Sequence, residues 1–198
     1  MKLTRSSSLW NIVFVMTMVV YATGLFVDIM EPDAAVYAQV SMEMHDRHDL
    51  LSIYHKGVDW LDKPHFPFWM SAISYKIFGV NTFAYKFPAV LFVFLGALYT
   101  FLFGRRFYSA LHGFIAVLIL ITAQHIIISN QDVRAEPFLT GLLIMGLYHF
   151  ACLVDNKGSS KSILHLTLGS LAVACLIMTK GLFTIIPIAA GIGLSLLY

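Results

Sequence analysis

Residues 85–103 read YKFPAVLFVFLGALYTFLF and are followed at once by Gly104-Arg105-Arg106. A helix needs about 20 apolar residues to cross the roughly 30 Å hydrocarbon core of a bilayer, and this run has that length. A basic pair directly after such a run is typical of a span that ends at the cytoplasmic face. The stretch therefore predicts a membrane-spanning helix and also its direction.

The composition of the whole chain agrees with a membrane protein. Hydrophobic residues make up 59% of the 198 residues and charged residues 12%, which is roughly half the charged share of a soluble domain. We predict an all-α polytopic membrane protein with about six transmembrane helices. The candidate spans are Leu9–Val27, Tyr85–Phe103, Leu111–Ile128, Pro137–Val154, Ile163–Met178 and Leu182–Tyr198.

Two composition features exclude simpler classes. The formal net charge of +2 is too small to indicate a nucleic-acid partner. Cys152 and Cys175 both fall inside apolar runs. We therefore expect them to be small packed residues rather than a disulfide pair.

Short basic clusters mark alternate loops between the spans, which places those loops in the cytoplasm. The loop 28–84 and the turns 129–136 and 179–181 then lie outside. Of the eleven carboxylates, only Asp155 falls on the cytoplasmic side. We therefore expect the functional chemistry on the outer face. The basic residues used are Lys2, Arg5, Arg105, Arg106, Lys157 and Lys161.

The long outer loop has the pattern of two helices. Asp33 follows a proline and is a natural N-cap for a helix that runs to residue 47. Val36, Val40 and Met44 would share one face of that helix. Pro67–Phe78 is apolar and rich in aromatic residues, but its 12 residues would span only about 18 Å as a helix. We predict an amphipathic helix at the membrane interface there.

Charged residues recur at four places on the predicted outer face. Each has a structural explanation of its own: a helix cap for Asp33, a lipid headgroup contact for Lys63, and a surface pair of Glu136 with Arg134. Together they are harder to explain, because ionisable groups beside a bilayer are unfavourable unless they are paired or used. The cations could bind an anionic headgroup, and the acids could handle a proton or a metal. The fourth place is Lys180, in Thr179-Lys180-Gly181.

The order of these motifs resembles a known family. One span is followed by an outer loop that opens with Asp33 and Tyr37, then by Lys63-Pro64 before an aromatic stretch. Arg-x-acid-Pro and Thr-Lys-Gly come later. This order is similar to the N-terminal half of the GT-C superfamily of membrane glycosyltransferases, and within it to the bacterial aminoarabinose-transferase and protein O-mannosyltransferase group. The resemblance runs from about residue 9 to the end of the chain.

The resemblance implies transfer of a sugar from a polyprenyl-phosphate donor to a lipid or protein hydroxyl. It also implies a multi-pass protein of the bacterial inner membrane whose active face lies outside the cytoplasm. By similarity, Asp33 is the catalytic base on the acceptor hydroxyl. The other implied site residues are Lys63, Arg134 and Lys180 near the donor phosphate, with Tyr37 and Glu136 in a supporting or acceptor role.

The metal requirement is left open by the sequence. Asp62 sits where some relatives place an acidic metal ligand, so a divalent cation is one possibility. Solvated loop histidines are the default, because two histidines spaced as in His45-x-x-His48 do not make a site. Many relatives also carry a second acid directly after the catalytic aspartate, whereas this chain has Ala34 there.

A different class of function is a transporter or channel for an anionic lipid or solute, whose charges would line a path. Against that class, the charges cluster on one face, and there is no pair of interrupted helices typical of inverted repeats. A non-catalytic scaffold is a third reading.

Relatives in the superfamily carry further spans and an outer C-terminal domain. We therefore expect this chain to be the N-terminal transmembrane part of such an enzyme, and to be inactive alone.

Overall fold

The structure is a computed structural model that describes residues 4–155 and 162–197. Three of the residues that predicted the orientation, Lys2, Lys157 and Lys161, lie outside this range. The predicted all-α class is confirmed, apart from a two-stranded hairpin, β1 (Tyr54–His55) and β2 (Val58–Asp59). The helices are α1 (Thr4–Gly24), α2 (Pro32–Arg47), α3 (Phe66–Phe78), α4 (Thr82–Phe107), α5 (Ala110–Thr122), α6 (Gln124–Gln131), α7 (Ala135–Asp155), α8 (Ser162–Lys180) and α9 (Ile186–Leu197), the last preceded by a 3-10 turn (Leu182–Ile185).

Each predicted span falls on a helix or on a helix pair. Within the described residues, α4, α7 and α8 are long and apolar enough to cross a membrane, and the bent pair α5–α6 adds a fourth if it counts as one span. The apolar parts of α1 and of the segment before and within α9 are shorter, at Leu9–Gly24 and Leu182–Gly191. The polytopic architecture is thus confirmed, whereas the number six stays a prediction.

The predicted third span, Leu111–Ile128, is not one straight helix. It is divided into α5 and α6, whose axes differ by 52°. Ala123 between them has extended backbone angles, and the Thr122 hydroxyl donates to the Leu118 carbonyl at 2.6 Å. Such back-bonding of a threonine within a helix favours bending. The outer turn after this pair is also shorter than predicted, since only residues 132–134 separate α6 from α7.

Glycines allow α4 to lie very close to its neighbours. A Cβ added at Gly104 would come within 2.5 Å of the Gly113 Cα on α5. A Cβ added at Gly141 on α7 would come within 2.5 Å of the Phe92 carbonyl oxygen on α4. Small residues at such crossings let helix backbones approach, which is how helices associate in lipid. The α4 helix is therefore the centre against which α5 and α7 pack.

The outer loop folds into a packed unit, as its pattern predicts. Val40 and Met44 of α2 are buried with Ile53 and with Phe68 of α3. The hairpin is tied to α2 because the Glu43 carboxylate accepts hydrogen bonds from the backbone N–H groups that follow β1. Helix α3 begins one residue before the predicted interfacial helix and ends where it was predicted to end.

Two side chains at the start of α4 form hydrogen bonds to α2 of the outer loop and to the end of α1. The Tyr85 hydroxyl donates to the Ala34 carbonyl of α2 at 2.9 Å. The buried Lys86 ammonium donates to the carbonyls of Val27 at 2.8 Å and Gly24 at 3.3 Å. A cation is favourable at these carbonyls because the C-terminal end of a helix carries partial negative charge. Lys86 lies inside the predicted span Tyr85–Phe103 but was not among the predicted functional residues.

Substituting Gly141 tests the close approach of α4 and α7. We expect Gly141→Ala to lower the stability by about 1–3 kcal/mol, since a methyl group would have to displace the Phe92 backbone. Thermal unfolding of the purified protein in detergent measures this. The control is Gly193→Ala, whose added Cβ would meet nothing within 4 Å. Equal midpoints for the two variants would contradict the packing.

Candidate active site

A cavity of about 190 Å³ lies where the first turns of α2, α3, α4 and α7 meet the last turn of α8. Six of the seven predicted site residues line it, and Asp62 lies beside it as the ion-pair partner of Lys63. The structure thus brings together residues that are far apart in sequence. The lining residues are Glu31, Asp33, Tyr37, Ser41, Lys63, Pro67, Phe68, Ser71, Tyr85, Val133, Arg134, Ala135, Glu136, Thr179 and Lys180.

Asp33 lies in the first turn of α2 and does not cap it, so the predicted N-cap role is wrong. The N-cap is Glu31, whose backbone is extended and whose carboxylate accepts from the Ala34 N–H at 3.2 Å. Pro32 occupies the first helical position, where its fixed φ suits a helix start and its missing N–H does no harm. The carboxylate of Asp33 is therefore exposed at the cavity.

Each of the three predicted cations has an acidic partner. The Lys63 ammonium lies 2.9 Å from Asp62, and the Lys180 ammonium lies 3.1 Å from Glu136. The third pair joins Arg134 to Glu31 at 3.0 Å. Asp33, in contrast, has no ion-pair partner within residues 4–155 and 162–197. It is therefore the cavity carboxylate that is left free for chemistry.

The predicted surface pair of Arg134 with Glu136 is wrong. Residues two positions apart at a helix start point to different sides, so their side chains do not face each other. Arg134 turns toward α2 and pairs with Glu31, whereas Glu136 turns toward the end of α8 and pairs with Lys180. One ion pair therefore connects the start of α7 to the start of α2, and the other connects it to the end of α8.

Among the described residues, two buried polar atoms on side chains that line the cavity have no hydrogen-bond partner. They are Nε of Arg134 and Oε2 of Glu136. Buried polar atoms are nearly always paired in folded proteins, so an unpaired donor and an unpaired acceptor on residues of one cavity indicate a place for a polar ligand. The arrangement offers one N–H donor and one carboxylate acceptor to such a ligand.

The protonation states of the loop residues suit an anion. The hydrogen bond that the Lys63 ammonium donates to Asp62 raises the pKa of Lys63 above its usual value. Burial raises the pKa of the Tyr37 phenol, although the nearby Lys63 opposes that shift. At neutral pH, Lys63 is therefore a cation and Tyr37 a neutral phenol that can donate a hydrogen bond.

The described residues do not assemble a metal site. Within 4–155 and 162–197, no group of three or more histidine, cysteine, aspartate or glutamate side chains is arranged to hold a metal ion. Asp62 is occupied by Lys63, and the His65 ring bonds to the Leu51 carbonyl at 2.8 Å. A divalent cation bound by Asp62 stays a prediction. Cys152 is buried and Cys175 is partly buried, and the two do not form a disulfide bond.

Sequence reasoning missed several lining residues, of which Glu31 matters most. An acid directly before a proline at a helix start was the available signal for the cap. Ser41 was also missed, because a lone serine inside a helix gives no sequence signal; its hydroxyl donates to the Tyr37 carbonyl one turn back in α2. Ala34, where many relatives carry a second acid, is fully buried, and its carbonyl accepts from Tyr85.

Known proteins resemble this chain over most of its length. The family model described as dolichyl-phosphate-mannose-protein mannosyltransferase matches residues 62–197. Undecaprenyl phosphate-alpha-4-amino-4-deoxy-L-arabinose arabinosyl transferase 1 of Sodalis glossinidius is 28% identical over 205 residues, which cover 98% of this chain and 36% of that protein. Arabinosyl transferase 2 of Pseudomonas fluorescens is 28% identical over 153 residues, which cover 76% of this chain and 28% of that protein.

Two solved structures share the fold. ArnT from Cupriavidus metallidurans in the apo state has a TM-score of 0.83 and 21% identity, over 98% of this chain and 36% of that one. ArnT bound to undecaprenyl phosphate has a TM-score of 0.80 and 21% identity, over 90% of this chain and 34% of that one. The chain thus spans about a third of the length of the proteins it matches.

The Lys180–Glu136 pair can be tested through stability. We expect Lys180→Met to lower the unfolding midpoint, because it leaves the half-buried Glu136 carboxylate without its partner. The double variant Lys180→Met/Glu136→Gln should unfold at a higher temperature than Lys180→Met alone, since no unpaired charge remains. Thermal unfolding in detergent measures both. A double variant that is less stable than Lys180→Met alone would refute this account of the pair.

Proposed function

This chain belongs to the dolichyl-phosphate-mannose-protein mannosyltransferase family, and on that premise we propose that its cavity is the donor site of a membrane glycosyltransferase. The enzyme moves a sugar from a polyprenyl-phosphate donor to a hydroxyl group of a lipid or protein acceptor. One observation carries the proposal. Three cations meet in one cavity with Asp33, which has no ion-pair partner among the described residues, although the four come from separate segments.

The donor class is supported by the charges of the cavity. Lys63, Arg134 and Lys180 can bind a phosphate group, and no described residue accepts a hydrogen bond from the buried Nε of Arg134. A charged hydrogen bond to phosphate is short and strong, and an arginine can make two in parallel. The names of the similar transferases and the undecaprenyl phosphate in the related crystal structure point to the same donor class.

The reaction follows from the positions of these groups. The acceptor oxygen attacks the anomeric carbon as the bond from that carbon to the phosphate oxygen breaks, and the polyprenyl phosphate leaves with the electron pair. Asp33 takes the proton of the acceptor hydroxyl, a general-base role. The cations stabilise the charge that develops on the phosphate, and they are already in place before the reaction.

Asp33 can serve as the base because Glu31 caps the helix in its place. The carboxylate of Asp33 is exposed at the cavity and has no ion-pair partner within residues 4–155 and 162–197, so it stays available for a proton. Tyr37 lies one turn further along α2 and offers its hydroxyl to the substrate. The free Oε2 of Glu136 can accept a hydrogen bond from a sugar or acceptor hydroxyl.

We place the cavity on the outer face of the bacterial inner membrane. The basic residues Arg105 and Arg106 lie in the last turn of α4, whereas Tyr85 in its first turns lines the cavity. Arg106 pairs there with Asp155 at the end of α7. Basic residues at a span end favour the cytoplasmic side, so the cavity end favours the outside.

Removing the proposed base tests the reaction. We expect Asp33→Asn to lower the transfer rate by about 10²–10⁴-fold, because an amide cannot take the acceptor proton. Binding of undecaprenyl phosphate should stay within about twofold of wild type, since Asp33 is not among the proposed phosphate ligands. The assay follows radiolabelled sugar from the polyprenyl-phosphate donor, in membranes in which the wild-type chain, with any further segments that the enzyme needs, transfers sugar.

The matched control is Asp46→Asn, which removes an exposed carboxylate from the other end of the same helix. It should transfer at the wild-type rate. A wild-type rate for Asp33→Asn would refute the assignment of the base. Saturable solute flux in proteoliposomes without any transfer would favour the transporter class instead.

Removing a phosphate-binding cation tests the donor site. We expect Lys63→Met to weaken the binding of undecaprenyl phosphate by about tenfold or more, because a charged hydrogen bond is worth about 1.5–3 kcal/mol. Lys76→Met is the control, since that lysine is exposed at the end of α3, outside the cavity. Equal affinities of the two variants for the lipid in nanodiscs would remove Lys63 from the site.

A further inference from the structure

Glu31 bonds two segments of the cavity that are far apart in sequence. Its Oε2 accepts from the Ala34 N–H of α2 at 3.2 Å, and its Oε1 lies 3.0 Å from Nη2 of Arg134. Its backbone carbonyl accepts from the Ala35 N–H at 3.1 Å. One carboxylate thus contacts both the helix that carries the proposed base and the residue that precedes α7.

Capping by itself does not explain a glutamate at this position. Serine, threonine, aspartate and asparagine are the preferred N-cap residues, because their short side chains reach the free N–H groups directly. A glutamate has an additional methylene, and here that length carries Oε1 to Arg134 while Oε2 still reaches Ala34. The identity of Glu31 is explained by both contacts together.

The contact also fixes the orientation of the Arg134 guanidinium. The guanidinium is a flat group with five N–H donors in a rigid arrangement, so holding one nitrogen orients the others. Glu31 holds Nη2, and the buried Nε has no hydrogen-bond partner within residues 4–155 and 162–197. The Arg134 backbone is itself held, because its N–H donates to the Ser129 carbonyl at 2.9 Å.

The loop before α7 has a conformation that its surroundings must maintain. Val133 has a φ of +52°, which is unfavourable for a β-branched residue. Its side chain is buried and lines the cavity next to Arg134. The Glu31–Arg134 ion pair therefore holds a loop in which Val133 has a backbone conformation that is less favourable than the ordinary ones.

We infer that Glu31 is a positioning residue, which holds the Asp33 helix and the Arg134 guanidinium in one fixed relation. It acts through Arg134 and does not itself contact the substrate. Such a half-exposed ion pair adds little to stability, so its effect is expected on donor binding. The inference rests on the proposed function, since it takes Arg134 as a ligand of the donor phosphate.

The test uses substitutions that keep the cap and remove the contact with Arg134. Glu31→Ser and Glu31→Asp still cap α2, but they are too short to reach Arg134. Glu31→Gln keeps the length and an oxygen acceptor but loses the charge. The probe is undecaprenyl phosphate, whose affinity for the protein in nanodiscs is measured, together with KM and kcat for the labelled donor in membranes.

We expect Glu31→Ser and Glu31→Asp to weaken the binding of undecaprenyl phosphate and to raise the donor KM by about tenfold, with kcat within about threefold of wild type. Glu31→Gln should recover part of the affinity. Adding Glu31→Ser to Arg134→Met should change nothing further, because the two residues act as one unit. Asp46→Ser, on the exposed face of α2, is the control.

A cap with no further role would leave the affinity and KM of Glu31→Ser and Glu31→Asp at wild-type values, and that result would overturn the inference. Additive effects of Glu31→Ser and Arg134→Met would also overturn it. Failure of the proposed function is a different observation: the wild-type protein does not bind undecaprenyl phosphate, or Asp33→Asn transfers sugar normally. Unchanged unfolding midpoints in detergent show that the variants are folded.

Discussion

Ionised side chains next to a hydrocarbon layer are stable only when they are paired, and this constraint organises the end of the molecule that holds the cavity. Arg134 pairs with Glu31 of the loop before α2, and Lys180 at the end of α8 pairs with Glu136 at the start of α7. Lys86 has no carboxylate partner in the part of the chain that the structure describes, and its ammonium donates to the carbonyls of Gly24 and Val27 at and after the end of α1. Each of these pairings joins different segments. Because each charge needs a partner, the ends of the segments that carry these charges lie together around one cavity.

The apolar part of the bundle complements this polar end. Within it, glycines at the crossings of α4 with α5 and α7 bring the backbones together, so the ends of these helices are set by close packing. Arg134, directly before α7, is thereby fixed in position, and Lys180 at the end of α8 is joined to the start of α7 by its ion pair with Glu136. Asp33 and Lys63 instead belong to the outer loop, which is held by its own core and by the Tyr85 bond to α2. The site therefore combines a part built on the bundle with a part built on a docked loop.

The sequence predicted the features that depend on composition and order. Apolar runs located every helix that packs in the bundle, and the succession of charged motifs identified six residues that line the cavity. The wrong predictions concern the contacts of charged residues that lie two positions apart in the sequence. Glu31 and Asp33 are both reasonable caps for α2, and Pro32 at the first helical position decides between them. Arg134 and Glu136 are natural partners by charge, but the direction of each side chain depends on where α2 and α8 end.

The site is divided between the helix bundle and the docked outer loop. Arg134 and Lys180, the proposed phosphate ligands, lie directly before α7 and at the end of α8. Asp33, the proposed base, lies on α2 of the outer loop. In-line attack requires these two parts to keep a fixed distance, because a displacement of about 1 Å can reduce the rate about 10²-fold. Glu31 bonds directly to both parts, since it caps the loop helix and holds the arginine of the bundle. A residue that touches no substrate can in this way set the geometry on which transfer depends.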